Sequence, residues 1–423
     1  MTETIERKSK WGKVAKVGVI FATIFACIAG IAYSLTDIGE AAGSYEKHRT
    51  AAIRAKLPFT AKDMNELTYV APAENCGQKA LSAVLEIKNF TKQLDKTSTT
   101  DTEILAVWKS LLPSFEELEK GSRAKYFVFP RNYQSYLNDT PEYTPLHKWG
   151  RLIDARCTIA VKTGERDLAH RLILFLSRIA ILVQRNLDLD PIHMRGAYAK
   201  FAEKQILTIL NTRGKDKTWR DTADEALAIL DKPYNPIPMI GFYHFRALRL
   251  MDGYMERPNG IDPGPYSITR AARFIPRFER ANLSRIHDYF SRCILEYPRD
   301  PYDFAVITKH LSLLSDQSWG DNVSYIVAGF TSMGFQNLGK SMALETAKRN
   351  VLMQASYILE HGIGQGKGLP IKGRDARDID GNPLRLKKVN LGWLVYSIGP
   401  DGIDDGGDCS GKAPKDFGVL VRK

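Results

Sequence analysis

The nineteen residues from Val17 to Leu35 carry no charge and no proline. A run of this length matches the ~20 apolar residues that a helix needs to cross a hydrocarbon core of about 30 Å. It predicts one membrane-crossing helix at 17–35 and confines the chain after it to one side. Arg7, Lys8, Lys10, Lys13 and Lys16 precede the run, whereas Asp37 and Glu40 follow it. That bias puts the basic tail 1–16 in the cytoplasm and the bulk outside, as in a single-pass protein of a cytoplasmic membrane. The rival is a cleaved signal peptide, for which Gly30-Ile31-Ala32 offers a weak small-x-small site. The run exceeds an ordinary signal core, which favours a retained anchor. A lipoprotein reading at Cys27 meets a bulky Phe25 where a small residue is usual.

The chain has 423 residues, enough for two or three domains with filled cores. Its formal net charge of +12 is partly spent beside the apolar run, and the remaining bases alternate with acids along helical stretches. No nucleic-acid fold signature accompanies that charge, so no nucleic-acid partner is expected. Anionic headgroups, cell-wall polymer or plain solvation account for it instead. Beyond Cys27 stand Cys76, Cys157, Cys293 and Cys409, without CxxC spacing. They could pair in three ways in an oxidising compartment or remain buried thiols.

Helical periodicity dominates residues 36–335. Asp37–Lys56 reads as a polar helical extension that stops at Leu57-Pro58, followed by a turn-rich loop to Asn75. Apolar residues recur at helical spacing in 78–94, and Thr97–Thr102 supplies an N-cap for the next helix. The aromatic stretch 125–145 is expected to fold as an ordered loop against the helices. Leu146–Leu187 carries the strongest helical signal, broken by Gly164-Glu165-Arg166-Asp167 into a hairpin. Its second arm, 168–183, is nearly all apolar but too short to span a membrane, which predicts a buried core helix. Further helices are expected at 194–210, 219–230, 239–254, 268–297, 303–314 and 325–361, the last ended by glycines from Gly362. No fixed repeat period occurs.

The ending, 336–423, differs in kind. Gly381-Asn382-Pro383 leads into a short strand-like run. Trp393-Leu394-Val395-Tyr396-Ser397-Ile398 forms a second, closed by Gly399-Pro400-Asp401-Gly402 and Asp404-Asp405-Gly406-Gly407-Asp408. Alternation along the second run has apolar residues on both faces, which predicts a largely buried strand with Trp393 in the core. In order and spacing these residues resemble the C-terminal module of the major (G-type) pseudopilin of type II secretion. The resemblance implies a long helix on a small antiparallel sheet, closed by a calcium-binding loop. Asp401, Asp404, Asp405 and Asp408, with Ser397, would supply its oxygens. The same residues read equally as turn formers, glycines taking positive φ and aspartates capping. No prepilin-peptidase motif precedes Val17, and Cys409-Ser410-Gly411-Lys412 replaces the family's next Asp-Ile pair. The chain should therefore not be processed as a pilin. More loosely, Ala73-Glu74-Asn75, the hairpin and the ending resemble an uncharacterised group of membrane-anchored bacterial envelope proteins.

The search for reactive residues yields no catalytic and no cofactor-binding set. None of the eight histidines lies in HExxH or another helical zinc spacing, and no GxSxG elbow occurs. His244 with His287, and His147 with Asp154, are the pairs the fold could bring together. The glycines 362–368 depart from a phosphate loop and follow a helix rather than a strand, and Glu116-Glu117 reads as a solvated helix face. The fold class expected is mainly α: an anchor, an irregular multi-helix extracytoplasmic domain and a small α+β module. The function expected is structural or interactive, alongside a secretion or pilus-type assembly. The alternative is an envelope enzyme acting on cell-wall or surface polymer. Envelope proteins are the expected partners, and no small-molecule ligand is identified.

Overall fold

The computed structural model describes residues 36, 38–95, 99–129, 131, 142–183, 186, 191–233, 235–251, 276–300, 303, 306–307, 309–310, 338–362, 377–399, 401–409 and 415–422. The run Val17–Leu35 lies outside them. Among the described residues no helix is long and apolar enough to cross a membrane. The chain divides into two compact units. Of the described residues, one holds those within 36–57, 243–251 and 276–295, and the other those within 58–242, 296–310 and 338–422.

In the larger unit the sequence turns into helices for local reasons. The helix α2 (Ala61–Thr68) starts on a capping box in which the Thr60 hydroxyl accepts the Asp63 N–H and the Asp63 carboxylate accepts the Thr60 N–H. This corrects the turn-rich loop expected there. Next come α3 (Gly77–Glu86), a 3₁₀ turn (Ile87–Phe90) and α4 (Thr91–Leu94). The longer α5 (Asp101–Gly121) begins on the same device, built from Thr100 and Glu103.

The expected hairpin is α6 (Tyr143–Thr163) and α7 (Arg166–Leu182), with Gly164 at φ +82° between them. The left-handed conformation costs glycine nothing and lets the chain reverse within two residues. On α7, Leu172, Ile173, Leu176 and Ile179 are fully buried. Trp149 of α6 is also fully buried and donates its Nε1–H to the carbonyls of Ala83 and Val84 at 3.3 and 3.2 Å. The following helix α8 (Pro191–Thr212) crosses α6 closely: a Cβ on Gly150 would meet the Phe201 ring at 2.8 Å. The helices α9 (Lys217–Leu230) and α12 (Leu338–His361) complete the layer. Gly362, at φ +73°, ends α12 as expected.

The aromatic stretch is ordered where it is described. Phe127 and Phe129 are buried, and two asparagines clasp the strand-like segment between them. Asn75 bonds both backbone groups of Val128, while Asn186 accepts from the Phe129 N–H and donates to the Phe127 carbonyl. Each clasp replaces a sheet partner for backbone that would otherwise be buried unpaired.

The chain closes on a three-stranded antiparallel sheet in the order β1 (Arg385–Val389), β2 (Gly392–Ser397), β3 (Phe417–Arg422). The third strand was not expected. Val395 pairs with Val419 and Trp393 with Val421, and the three valines join the helical core beside α12. Trp393 itself is half-buried, at the end of β2 near the β1–β2 turn, so the core positions of this strand are Val395 and Tyr396.

In the smaller unit, α1 (Tyr45–Arg54) packs against α11 (Pro276–Leu295). Residues 243–251 of the helix α10 (Ile237–Met251) also belong to this unit. Among the described residues Cys76, Cys157, Cys293 and Cys409 form no disulfide. Burial pushes the thiols of Cys76 and Cys409 up to about 11.

Candidate functional site

The Asp/Gly loop lies against one face of the sheet. Gly406 and Gly407 take φ +72° and +82°, and a Cβ on Gly407 would meet the Leu394 side chain at 2.4 Å. Only glycine lets the backbone come this close while turning left-handed. Asp416, 1% exposed, ties the loop at both ends. Its carboxylate accepts the Gly399 N–H at 3.2 Å and the Gly407 N–H at 2.8 Å. Its own N–H donates to the Asp408 carbonyl at 3.1 Å.

The expected metal ligands are placed as follows. Asp404 accepts the Gly406 N–H and pairs with Arg385 Nε at 2.8 Å, and these contacts hold its carboxyl below the usual carboxylate range, the backbone bond foremost. Asp405 pairs with Lys415 at 3.0 Å. Asp401 closes a turn by accepting the Ile403 N–H, and Asp408 contributes a carbonyl. Ser397 is buried in β2 and donates its hydroxyl to the Ile398 carbonyl. Arg385 also reaches the buried Asp378 at 2.6 Å, whose other oxygen accepts the N–H groups of Asp380 and Asn382. As placed, the loop carboxylates disperse toward two side-chain cations and several backbone donors. Among the described residues no three His, Cys, Asp or Glu side chains converge as a metal site. Calcium would have to displace Arg385 and Lys415 to collect them.

The smaller unit gathers the only pair of histidines raised from sequence that meets. His244 Nε2 lies 3.0 Å from His287 Nδ1, and both rings are buried. His147 instead sits beside the Phe201 ring, while Asp154 pairs with Lys204 and Gln205. On α11, Ser284, His287 and Asp288 share one face, three and four residues apart. His48 of α1 reaches that face, with Nδ1 2.9 Å from Ser284 Oγ and Nε2 3.7 Å from Asp288 Oδ1. Burial pushes His287 down to about 4, helped by Arg49 and His48. Burial also lowers His48, against the pull of Asp288. Both rings are therefore neutral at pH 7. A serine, an imidazole and a carboxylate in contact can activate a hydroxyl, yet Ser284 is fully buried here.

A third polar cluster had no sequence signal beyond ordinary helix charges. Glu203 on α8 is buried and pushed up to about 7, chiefly by loss of solvent and in part by Glu345, against the fields of Arg349, Lys348 and Arg195. Glu345 on α12 takes the ion pairs instead, with Arg195 at 3.2 Å and Arg349 at 3.6 Å. No family model matches the chain, and comparison with curated proteins and with solved structures finds no match.

Proposed function

We propose that the chain is a membrane-anchored, extracytoplasmic interaction protein of a bacterial envelope, serving a secretion or pilus-type assembly through its pseudopilin-like C-terminal module. The uncharged run Val17–Leu35 with its basic flank supports the anchor. The observation that carries the interaction role is β1. It forms one edge of the sheet, and Leu386, Lys387 and Lys388 are consecutively exposed along it. Leu391, in the turn to β2, and Ile403, in the Asp/Gly loop, are 63% and 59% exposed. An edge strand offers unpaired backbone groups to another extended segment, and its lysines favour an acidic one. A photo-crosslinking residue at Leu391 should give one discrete adduct in the host membrane. The adduct should vanish in Leu386→Asp without any change in melting temperature. No adduct at Leu391 from a folded chain would sink this reading.

The second reading, an envelope enzyme acting on cell-wall or surface polymer, draws on the contact of His48 with Ser284 and Asp288. It requires the buried hydroxyl to become accessible. A fluorophosphonate probe that labels Ser284 in the native chain would favour it, and an unlabelled native Ser284 would count against it.

A further inference from the structure

In the larger unit a cavity of about 400 Å³ opens where the end of α8, the loop to α9, the end of α12 and the end of β3 meet. Its volume falls in the range of small-molecule sites, roughly 300–1,000 Å³. Leu210, Leu359 and Leu420 give it an apolar side, and Arg213, Lys215 and Arg422 line the other. The negative ends of α8 and α12 together amount to about one elementary charge, less than the two that Arg213 and Arg422 bring. The single acid on its wall, Asp216, is committed to the cap of α9, accepting from the Thr218 N–H at 2.9 Å and its hydroxyl at 2.7 Å. Neither Arg213 nor Arg422 has a carboxylate partner among the described residues, and Arg213 instead lies 6.0 Å over the Trp219 ring.

The backbone of the wall is held in place, while the side chains of Arg213, Lys215 and Arg422 are exposed. Gly214 is buried, and a Cβ there would meet the Leu210 carbonyl at 2.5 Å and Leu359 at 2.8 Å. The buried Arg220 donates to the Gly214 carbonyl at 3.0 Å, and the Asp216 N–H to that of Arg213 at 2.8 Å. The loop that carries Arg213 and Lys215 is thus held before any ligand arrives.

Guanidinium groups match paired oxygens of carboxylate and phosphate, and the leucines suit an apolar body behind that head. We propose that this cavity binds an amphiphilic oxyanion, a phosphate or carboxylate head on an apolar chain. The site is independent of the β1 edge and goes beyond the interaction role.

Calorimetric titration of the full chain in phosphatidylcholine nanodiscs, against empty discs, tests this with hexyl phosphate as the probe. Hexyl phosphate should bind, inorganic phosphate should bind more weakly, and hexanol weakest. The double variant Arg213→Gln/Arg422→Gln should bind about tenfold more weakly or worse, while Lys120→Gln, an exposed base elsewhere, should match the parent. Repetition in phosphatidylglycerol discs fixes the source. Weakened apparent affinity assigns a lipid headgroup, unchanged affinity a free amphiphile, and either result upholds the site. The proposal falls if hexyl phosphate gives no heat beyond empty discs, if the double variant binds like the parent, or if hexanol or inorganic phosphate binds as tightly as hexyl phosphate.

Discussion

Asp416 accepts the backbone N–H of Gly407 at 2.8 Å, across nine residues of chain, with a carboxylate that is 1% exposed. Its other oxygen takes the Gly399 N–H, so one buried side chain joins both ends of the Asp/Gly loop to the first residues before β3. Asp416→Ala leaves the buried Gly399 N–H and the half-buried Gly407 N–H without acceptors, at about 1–3 kcal/mol for the buried one. Chemical denaturation should show a loss of at least that size. Asp401→Asn, an exposed change that keeps an acceptor for Ile403, should stay within about 0.5 kcal/mol of the parent. Equal effects at the two positions would remove Asp416 from its role as the loop's clamp.

The ion pairs of Arg385 and Lys415 bear on the calcium implied by the pseudopilin resemblance. With those cations already among Asp378, Asp404 and Asp405, the wild-type melt should coincide in calcium, magnesium and chelator. A calcium site would raise stability as a ligand of the folded state, by about 2.7 kcal/mol at a hundredfold excess over its dissociation constant. A calcium-specific rise in melting temperature would establish the metal and require Arg385 and Lys415 to swing away.

Topology is separately testable. The basic residues Arg7 to Lys16 before an uncharged run predict an extracytoplasmic C-terminus. A reporter active only outside the cytoplasm, fused after Lys423, should be active, and its partner that works only in the cytoplasm should be silent. The reverse pattern would end the anchor argument.

What was legible in the sequence is what leaves a local mark. Gly164 stopped the apolar period and is the left-handed residue of the hairpin. The polar run 97–102 announced α5, and the structure places its cap at Thr100 with Glu103. The same device, Thr60 with Asp63, was equally written in the chain, but the eight residues behind it are short and mostly polar, so periodicity gave no warning of α2. Asp416 could not be read as a clamp, because its partners depend on where β3 pairs, and the five acids look alike until the sheet closes. The contact of His48 with Ser284 spans 236 positions, and nothing local in either helix specifies it. Glu203 is ordinary until α12 covers it.

The last prediction joins two buried groups whose titrations oppose each other. Glu203 is pushed up to about 7 in the folded chain, above the usual carboxylate value of 4.5. The folded state therefore binds the proton more tightly. The stability this gives the α8–α12 contact is fully present below about pH 4.5 and is lost as pH rises through about 7. His287 is pushed down to about 4, below its usual 6.5. Here the unfolded state binds the proton more tightly, so the stability around α1 and α11 is present above about 6.5 and is lost as pH falls through about 4. Each shift amounts to a differential on the order of 3 kcal/mol. Peptide-resolved hydrogen exchange at pH 4.5, 5.5 and 7.5, corrected for intrinsic rates, should show protection of α8 and α12 falling as pH rises. Protection of α1 and α11 should rise over the same interval. Glu203→Gln should flatten the first trend alone and His287→Gln the second alone. Parallel pH trends in the two helix pairs, or a Glu203→Gln chain with an unaltered α8 profile, would contradict the assignment of these trends to the two buried groups.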